Sequence, residues 1–218
     1  MKLTQVFMLL RPEQYYKNLV IFLALYFSGN FLDSEMLGLT ILGFVTLCLV
    51  SSANYIVNDI VDRKKDKHHK EKAIRPIANG TISSGQGAVI AIIFFGIGLG
   101  LAYALSLKFF FALTALIFSS TTYSLLLRNE LFMDILVIAI NFVIRAVSGA
   151  FLLSVWVSPW LLIGTFLLAL FLATGKRKAE RIFLKKETRQ HRPLLESYSD
   201  EHLNFLLQQR GILHKKNQ

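Results

Sequence analysis

The chain has 218 residues, 54% hydrophobic and only 17% charged, with a mean hydropathy of +0.49. A soluble domain of this size carries about a quarter charged residues, so an ordinary globular protein is excluded. The net charge of +10 does not indicate nucleic acid, because membrane proteins concentrate Lys and Arg in their cytoplasmic loops.

Charged side chains are missing from 18–32, 36–58, 76–107, 109–127 and 146–175. A membrane helix needs about 20 mostly apolar residues, so these gaps define a polytopic all-α protein. The apolar runs are continuous rather than period-two, which excludes a transmembrane β-barrel. They recur to residue 175, which excludes a soluble chain behind a signal peptide.

Six spans are predicted. Residues 1–14 form an amphipathic lead-in, and the first span follows at 16–32, opening on an interfacial Tyr15, Tyr16 and Lys17. The second, 36–57, contains Cys48, the single cysteine, which rules out an internal disulfide or a Cys-based metal site. The third, 87–107, carries Gly96, Gly98 and Gly100, read as small residues for close helix packing. The fourth is 109–127, the fifth 131–155 and the sixth 158–175. Lys and Arg crowd the N-terminus, the loop after the second span and the segment after the sixth, where eight fall between Lys176 and Arg192. The turns near Asp33 and Pro159 have none, so both termini are expected in the cytoplasm.

The most informative stretch ends the second span. If the helix continues, Asn58, Asp59, Asp62 and Asp66 share one face. Three carboxylates in one stripe repel unless a positive charge sits among them. Oxygen-only donors point to a hard cation such as Mg²⁺, completed by water and substrate phosphates. The plainer reading is an acidic helix end neutralised by its basic neighbours. On the fifth span, Asp134, Asn141 and Arg145 also share a stripe. Arg145 is the one charge well inside a predicted span, either lining a polar cavity or paired with an acid on another helix. Tyr123 is a cavity or belt tyrosine, and Ser119 to Thr122 either line the cavity or bond within their helix.

Asn58-Asp59-x-x-Asp62-x-x-x-Asp66 followed by Arg75-Pro76-Ile-Ala-Asn-Gly80 resembles the first signature of the UbiA-type membrane prenyltransferase superfamily. Further pieces are similar to its decaprenyl-phosphate phosphoribosyltransferase branch. They are Arg11-Pro-x-Gln14-x-x-Lys17-Asn18, then Tyr123-Ser124-x-x-Leu127-Arg128 with Asp134, and Gly175-Lys176-Arg177-x-Ala179-Glu180. The resemblance runs from about residue 7 to 207.

It implies transfer of a 5-phosphoribosyl group from 5-phosphoribosyl 1-diphosphate to a polyprenyl phosphate, releasing diphosphate, at a multi-pass bacterial cell membrane. Asp59, Asp62 and Asp66 would hold Mg²⁺, and Lys72 and Arg75 would contact phosphate oxygens beside Asn58. Lys17, Arg128, Lys176 and Arg177 are the candidates for the acceptor phosphate, with Tyr123, Asp134, Arg145 and Glu180 also toward substrate. In the wider superfamily a second acidic motif follows the sixth helix. Here Lys176, Arg177, Lys178 and Glu180 stand in its place, which argues against an aromatic acceptor. The superfamily has nine helices where these residues supply six, so 1–207 is expected as an incomplete transmembrane domain and 208–218 as a polar tail. Two rivals remain: prenyl transfer from a prenyl diphosphate, and a non-enzymatic six-helix transporter or assembly partner.

Overall fold

The computed structural model describes residues 3–69, 71–127 and 132–183, and among these every regular element is a helix. Among the described residues, four helices are long and apolar enough to cross a membrane. α1 (Leu3–Leu10) leads into a 3₁₀ segment (Pro12–Ile21) and the short α2 (Phe22–Phe27). α3 (Ser34–Asp66) and α4 (Ser84–Leu105) follow, then α5 (Leu107–Thr122), which closes in a π turn (Tyr123–Leu127). α6 (Met133–Leu153) and α7 (Pro159–Phe183) complete the bundle.

The predicted first span is therefore not one regular helix. Arg11 adopts a left-handed conformation (φ 53°, ψ 57°) and Pro12 follows, which prevents α1 from continuing. The chain then winds as 3₁₀, whose rise of about 2.0 Å per residue carries ten residues some way further than an α-helix would. This N-terminal arm (α1, the 3₁₀ segment and α2) runs antiparallel to α3: Arg11 meets Asp59, Tyr15 meets Ser52, and Asn18 meets Cys48 and Ser51. Its Ile21 is fully buried between α3 and α6.

α3 starts where the Asp33 carboxylate accepts hydrogen bonds from the Glu35 and Met36 amides, at 2.9 and 3.0 Å. With 33 residues it is ~50 Å long, about 20 Å more than a bilayer's hydrocarbon core. Its last turns, bearing Asp59 to Asp66, thus stay helical beyond the apolar stretch. α4 opens with a reciprocal Ser83–Gln86 capping box.

Of Gly96, Gly98 and Gly100 in the middle of α4, only Gly98 meets the packing expectation. A Cβ there would lie 2.7 Å from Val50 Cγ2, whereas Gly96 and Gly100 have nothing within 4 Å. The outward faces of α4 (Val89, Ile92, Ile97) and α7 (Leu168, Leu172) are exposed, as lipid-facing surfaces are. Trp156 and Trp160, about 80% exposed, flank the α6–α7 turn as an interfacial aromatic pair.

Candidate active site

The acidic stripe is helical, as its spacing predicts, but its members differ in environment. Asp59 and Asp66 are 3% and 2% exposed, while Asp62 is half-buried at the edge of the same face. The arginine Arg75 ties the buried pair together. Its Nη1 donates to Asp66 Oδ2 and lies 3.2 Å from Asp59 Oδ1. Arg11 reaches Asp59 from the arm while its guanidinium lies over the Tyr55 ring, and Lys72 Nζ stands 3.9 Å from Asp66 Oδ1.

The segment Arg75-Pro-Ile-Ala-Asn-Gly80 is what places Arg75. Ile77 and Ile82 are fully buried against α3 and α4, fastening the loop beneath the carboxylates. Asn79 Oδ1 accepts from the Thr81 amide at 2.8 Å, and Gly80 takes φ 82°, where a side chain would be strained. Two arginines thus occupy the ground between the carboxylates, and among the described residues no three acidic or histidine side chains converge as metal ligands. The donor chemistry still suits a hard cation. It is oxygen only, and Asp59 Oδ2 is buried without a hydrogen-bond partner among the described residues.

Beside this cluster a cavity of about 190 Å³ opens between α3, α5, α6 and the arm. Asn58, Tyr123, Arg145 and Lys17 line it, together with Asn54, Ser120, Ser124 and Asn141. An apolar side is formed by Leu116, Ile117, Val137, Ile138 and Phe142. The π turn aims Tyr123 and Ser124 inward, a common use of this irregularity at functional sites. Ser124 Oγ lies 2.9 Å from Asn58 Oδ1 and 3.0 Å from the Ser120 carbonyl, so its single proton serves one or the other.

Arg145 is 8% exposed, and neutral groups hold it. Nε donates to Asn18 Oδ1 at 2.9 Å and Nη1 to the Asn141 carbonyl at 3.1 Å. Among the described residues it has no carboxylate partner. Asn18, itself 1% exposed, also accepts from Ser51 Oγ and donates to Cys48 Sγ, each at 3.3 Å. Lys17 is half-buried and packs over the Tyr16 ring.

Asp134 does not join this cavity. It shares a helix stripe with Asn141 and Arg145, but its carboxylate turns to α7, where Arg177 Nε donates to Oδ2 at 2.5 Å. The ion-pair alternative weighed for Arg145 is realised by Arg177 instead. Arg177 is consequently neutralised in place, while its neighbour Lys176 is exposed. Arg128 and the Glu180 side chain lie outside the described residues. Sequence reasoning assigned no role to Arg11, Asn18, Asn54 or Ser124. Asn54 carried a usable signal: it stands one turn before Asn58 and extends the polar stripe into the apolar run.

The sequence model of the UbiA prenyltransferase family matches residues 19–181. The decaprenyl-phosphate phosphoribosyltransferase of Mycolicibacterium smegmatis is 30% identical over 200 residues, covering 90% of this chain and 63% of the relative. The enzyme of the same name from Corynebacterium glutamicum is 31% identical over 208 residues, covering 90% and 60%. The chain therefore spans somewhat under two thirds of the length of these relatives. A UbiA homolog from Archaeoglobus fulgidus, solved bound to GPP and Mg²⁺, superposes with a TM-score of 0.72 at 22% identity, over 93% of this chain and 72% of the homolog.

Proposed function

Since the chain belongs to the UbiA prenyltransferase family, we propose that it is a membrane-embedded transferase moving a 5-phosphoribosyl group from 5-phosphoribosyl 1-diphosphate to a polyprenyl phosphate. The observation that carries this reading is the charge layout of one cavity. A carboxylate–arginine cluster stands beside it, and Lys17 and Arg145, which have no carboxylate partner among the described residues, line it. Such a space suits reactants that are anionic at more than one point. The apolar side suits an isoprenoid chain, and the names of the relatives agree.

In the reaction an acceptor phosphate oxygen forms a bond to ribose C1 as the bond from C1 to the diphosphate oxygen breaks. The electron pair leaves with diphosphate, and an ionised phosphate needs no strong base. Asp59, Asp62 and Asp66 would hold Mg²⁺, which supplies Lewis-acid neutralisation of the leaving group when bound. Arg75 and Lys72, on the loop beneath, would meet diphosphate oxygens, with Arg75 exchanging carboxylate for phosphate contacts. Arg11 would keep Asp59 aimed while the substrate enters. Asn58 would orient the donor, held by Ser124. Lys17, Arg145 and the exposed Lys176 would hold the phosphate groups of the two substrates so that attacking oxygen and C1 approach in line. Both termini and the 67–83 loop would face the cytoplasm, where the charged donor is dissolved.

Binding of 5-phosphoribosyl 1-diphosphate to the purified chain in detergent, with and without Mg²⁺, tests this reading. Asp62→Asn, half-buried and isosteric, should leave the bundle folded and weaken Mg²⁺-dependent donor binding at least about tenfold. Unchanged affinity in that variant would sink the metal assignment. Prenyl transfer is the second reading, favoured by the apolar cavity side. Displacement of bound donor by geranyl diphosphate at lower concentration would select it.

A further inference from the structure

Three buried side-chain oxygens have no hydrogen-bond partner among the described residues: Asn54 Oδ1, Asp59 Oδ2 and Asn141 Oδ1. Asp59 belongs to the carboxylate cluster, but the two amides do not. Both line the cavity, one from α3 and one from α6. Along α3, Asn54 lies five residues from Asp59 and three from Ser51, whose hydroxyl shares Asn18 with Arg145. On α6, Asn141 lies one turn from Arg145, toward the charged end. The amides therefore form a middle layer between the carboxylates and Arg145.

A buried carbonyl oxygen with no donor is costly, and the cost falls when a ligand supplies an O–H or N–H. An isoprenoid chain has neither, whereas a pentose ring presents hydroxyls. We propose that Asn54 and Asn141 accept hydrogen bonds from the pentose hydroxyls of the donor, and so select a phosphorylated glycosyl diphosphate over a prenyl diphosphate. The inference rests on the reading of the donor given above and adds which residues recognise its sugar. The layering matches a donor with anions at both ends and hydroxyls between: diphosphate beside Arg75 and Lys72, ring between the amides, second phosphate toward Arg145. A prenyl diphosphate has one anionic end and would leave both amide oxygens against hydrocarbon, the kind of mismatch that hydrogen-bonding sites discriminate against strongly.

The test is titration of the chain in detergent with Mg²⁺, using 5-phosphoribosyl 1-diphosphate, geranyl diphosphate and inorganic diphosphate as separate probes. Among the described residues the Asn54 side chain makes no hydrogen bond, so Asn54→Leu removes none seen in the fold. It should weaken 5-phosphoribosyl 1-diphosphate about tenfold, the loss expected for one hydrogen bond to a buried acceptor. Inorganic diphosphate should bind as before, and geranyl diphosphate no worse. Asn54→Ser, which keeps an acceptor oxygen, should recover part of the loss. Asn141→Leu should shift selectivity the same way. Because Asn141 also donates to Ser120 Oγ at 3.2 Å, that variant is read alongside its melting temperature. Equal loss of both phosphoribosyl and inorganic diphosphate binding would overturn the proposal, as would unchanged phosphoribosyl affinity in Asn54→Leu. If the unaltered chain prefers geranyl diphosphate, the donor reading fails and this inference with it. A preference for the phosphoribosyl donor that both leucine variants leave intact overturns the inference alone.

Discussion

Arg145 and Arg177 are both buried arginines on packed helices, 8% and 5% exposed, yet among the described residues only Arg177 meets a carboxylate. Burying an ion without a counter-ion is expensive, and surrounding amides and carbonyls repay it only in part. Arg145 therefore keeps a charge that a ligand anion can neutralise, whereas Arg177 has spent its charge on Asp134. The two should respond differently to substitution. Arg177→Met removes the guanidinium from a buried carboxylate and should destabilise the chain by about 3–5 kcal/mol. The pair Asp134→Leu with Arg177→Met should recover most of that, as read from melting temperatures in detergent. Arg145→Met should cost far less stability than Arg177→Met but weaken binding of the phosphorylated substrates about tenfold or more. Equal stability losses for the two arginines would contradict this division of roles.

At the scale of elements, the N-terminal arm and α6 touch backbone to backbone. A Cβ on Gly149 would lie 2.3 Å from the Ile21 carbonyl oxygen and 3.0 Å from Ile21 Cγ1. Backbone cannot step aside by changing rotamer, so Gly149→Ala should push the arm outward. The expected cost is about 3 kcal/mol, and Arg11 would lose its grip on Asp59. Gly96→Ala, on the exposed side of α4 with nothing within 4 Å, should be neutral or gain up to about 1 kcal/mol of helix propensity. Comparing the two melting temperatures checks the close approach directly. The arm also explains why its helix type was not legible beforehand. Apolar length reads the same in 3₁₀ and α, and the left-handed Arg11 that resets the winding is no residue type that announces positive φ. α3 was legible, because its 58, 62, 66 spacing continues the helical period past the apolar run.

The whole molecule is polarised, with the carboxylate–arginine cluster at one end and the tryptophans 156 and 160 at the other. From this and the loop charges we infer that residues 67–83 face the cytoplasm. With Cys48 replaced by Ser, a cysteine at Ser84 should resist a membrane-impermeant label applied outside sealed cells, and one at Ser158 should react. The reverse pattern would invert the topology. Apolar runs, charge asymmetry and the acidic stripe are properties of local sequence, since each depends on residues within a few turns of one another. They were enough to determine an all-α membrane bundle, the position of the four described helices long and apolar enough to cross a membrane, and the face on which Asp59, Asp62 and Asp66 stand. What only the tertiary structure decided is pairing: Arg75 bridging Asp59 to Asp66, Arg177 rather than Arg145 taking an acid, and two amides left without donors. One helix's periodicity says which side chains share a face. Which charge is cancelled depends on how deeply neighbouring helices bury that face and on what they bring to it.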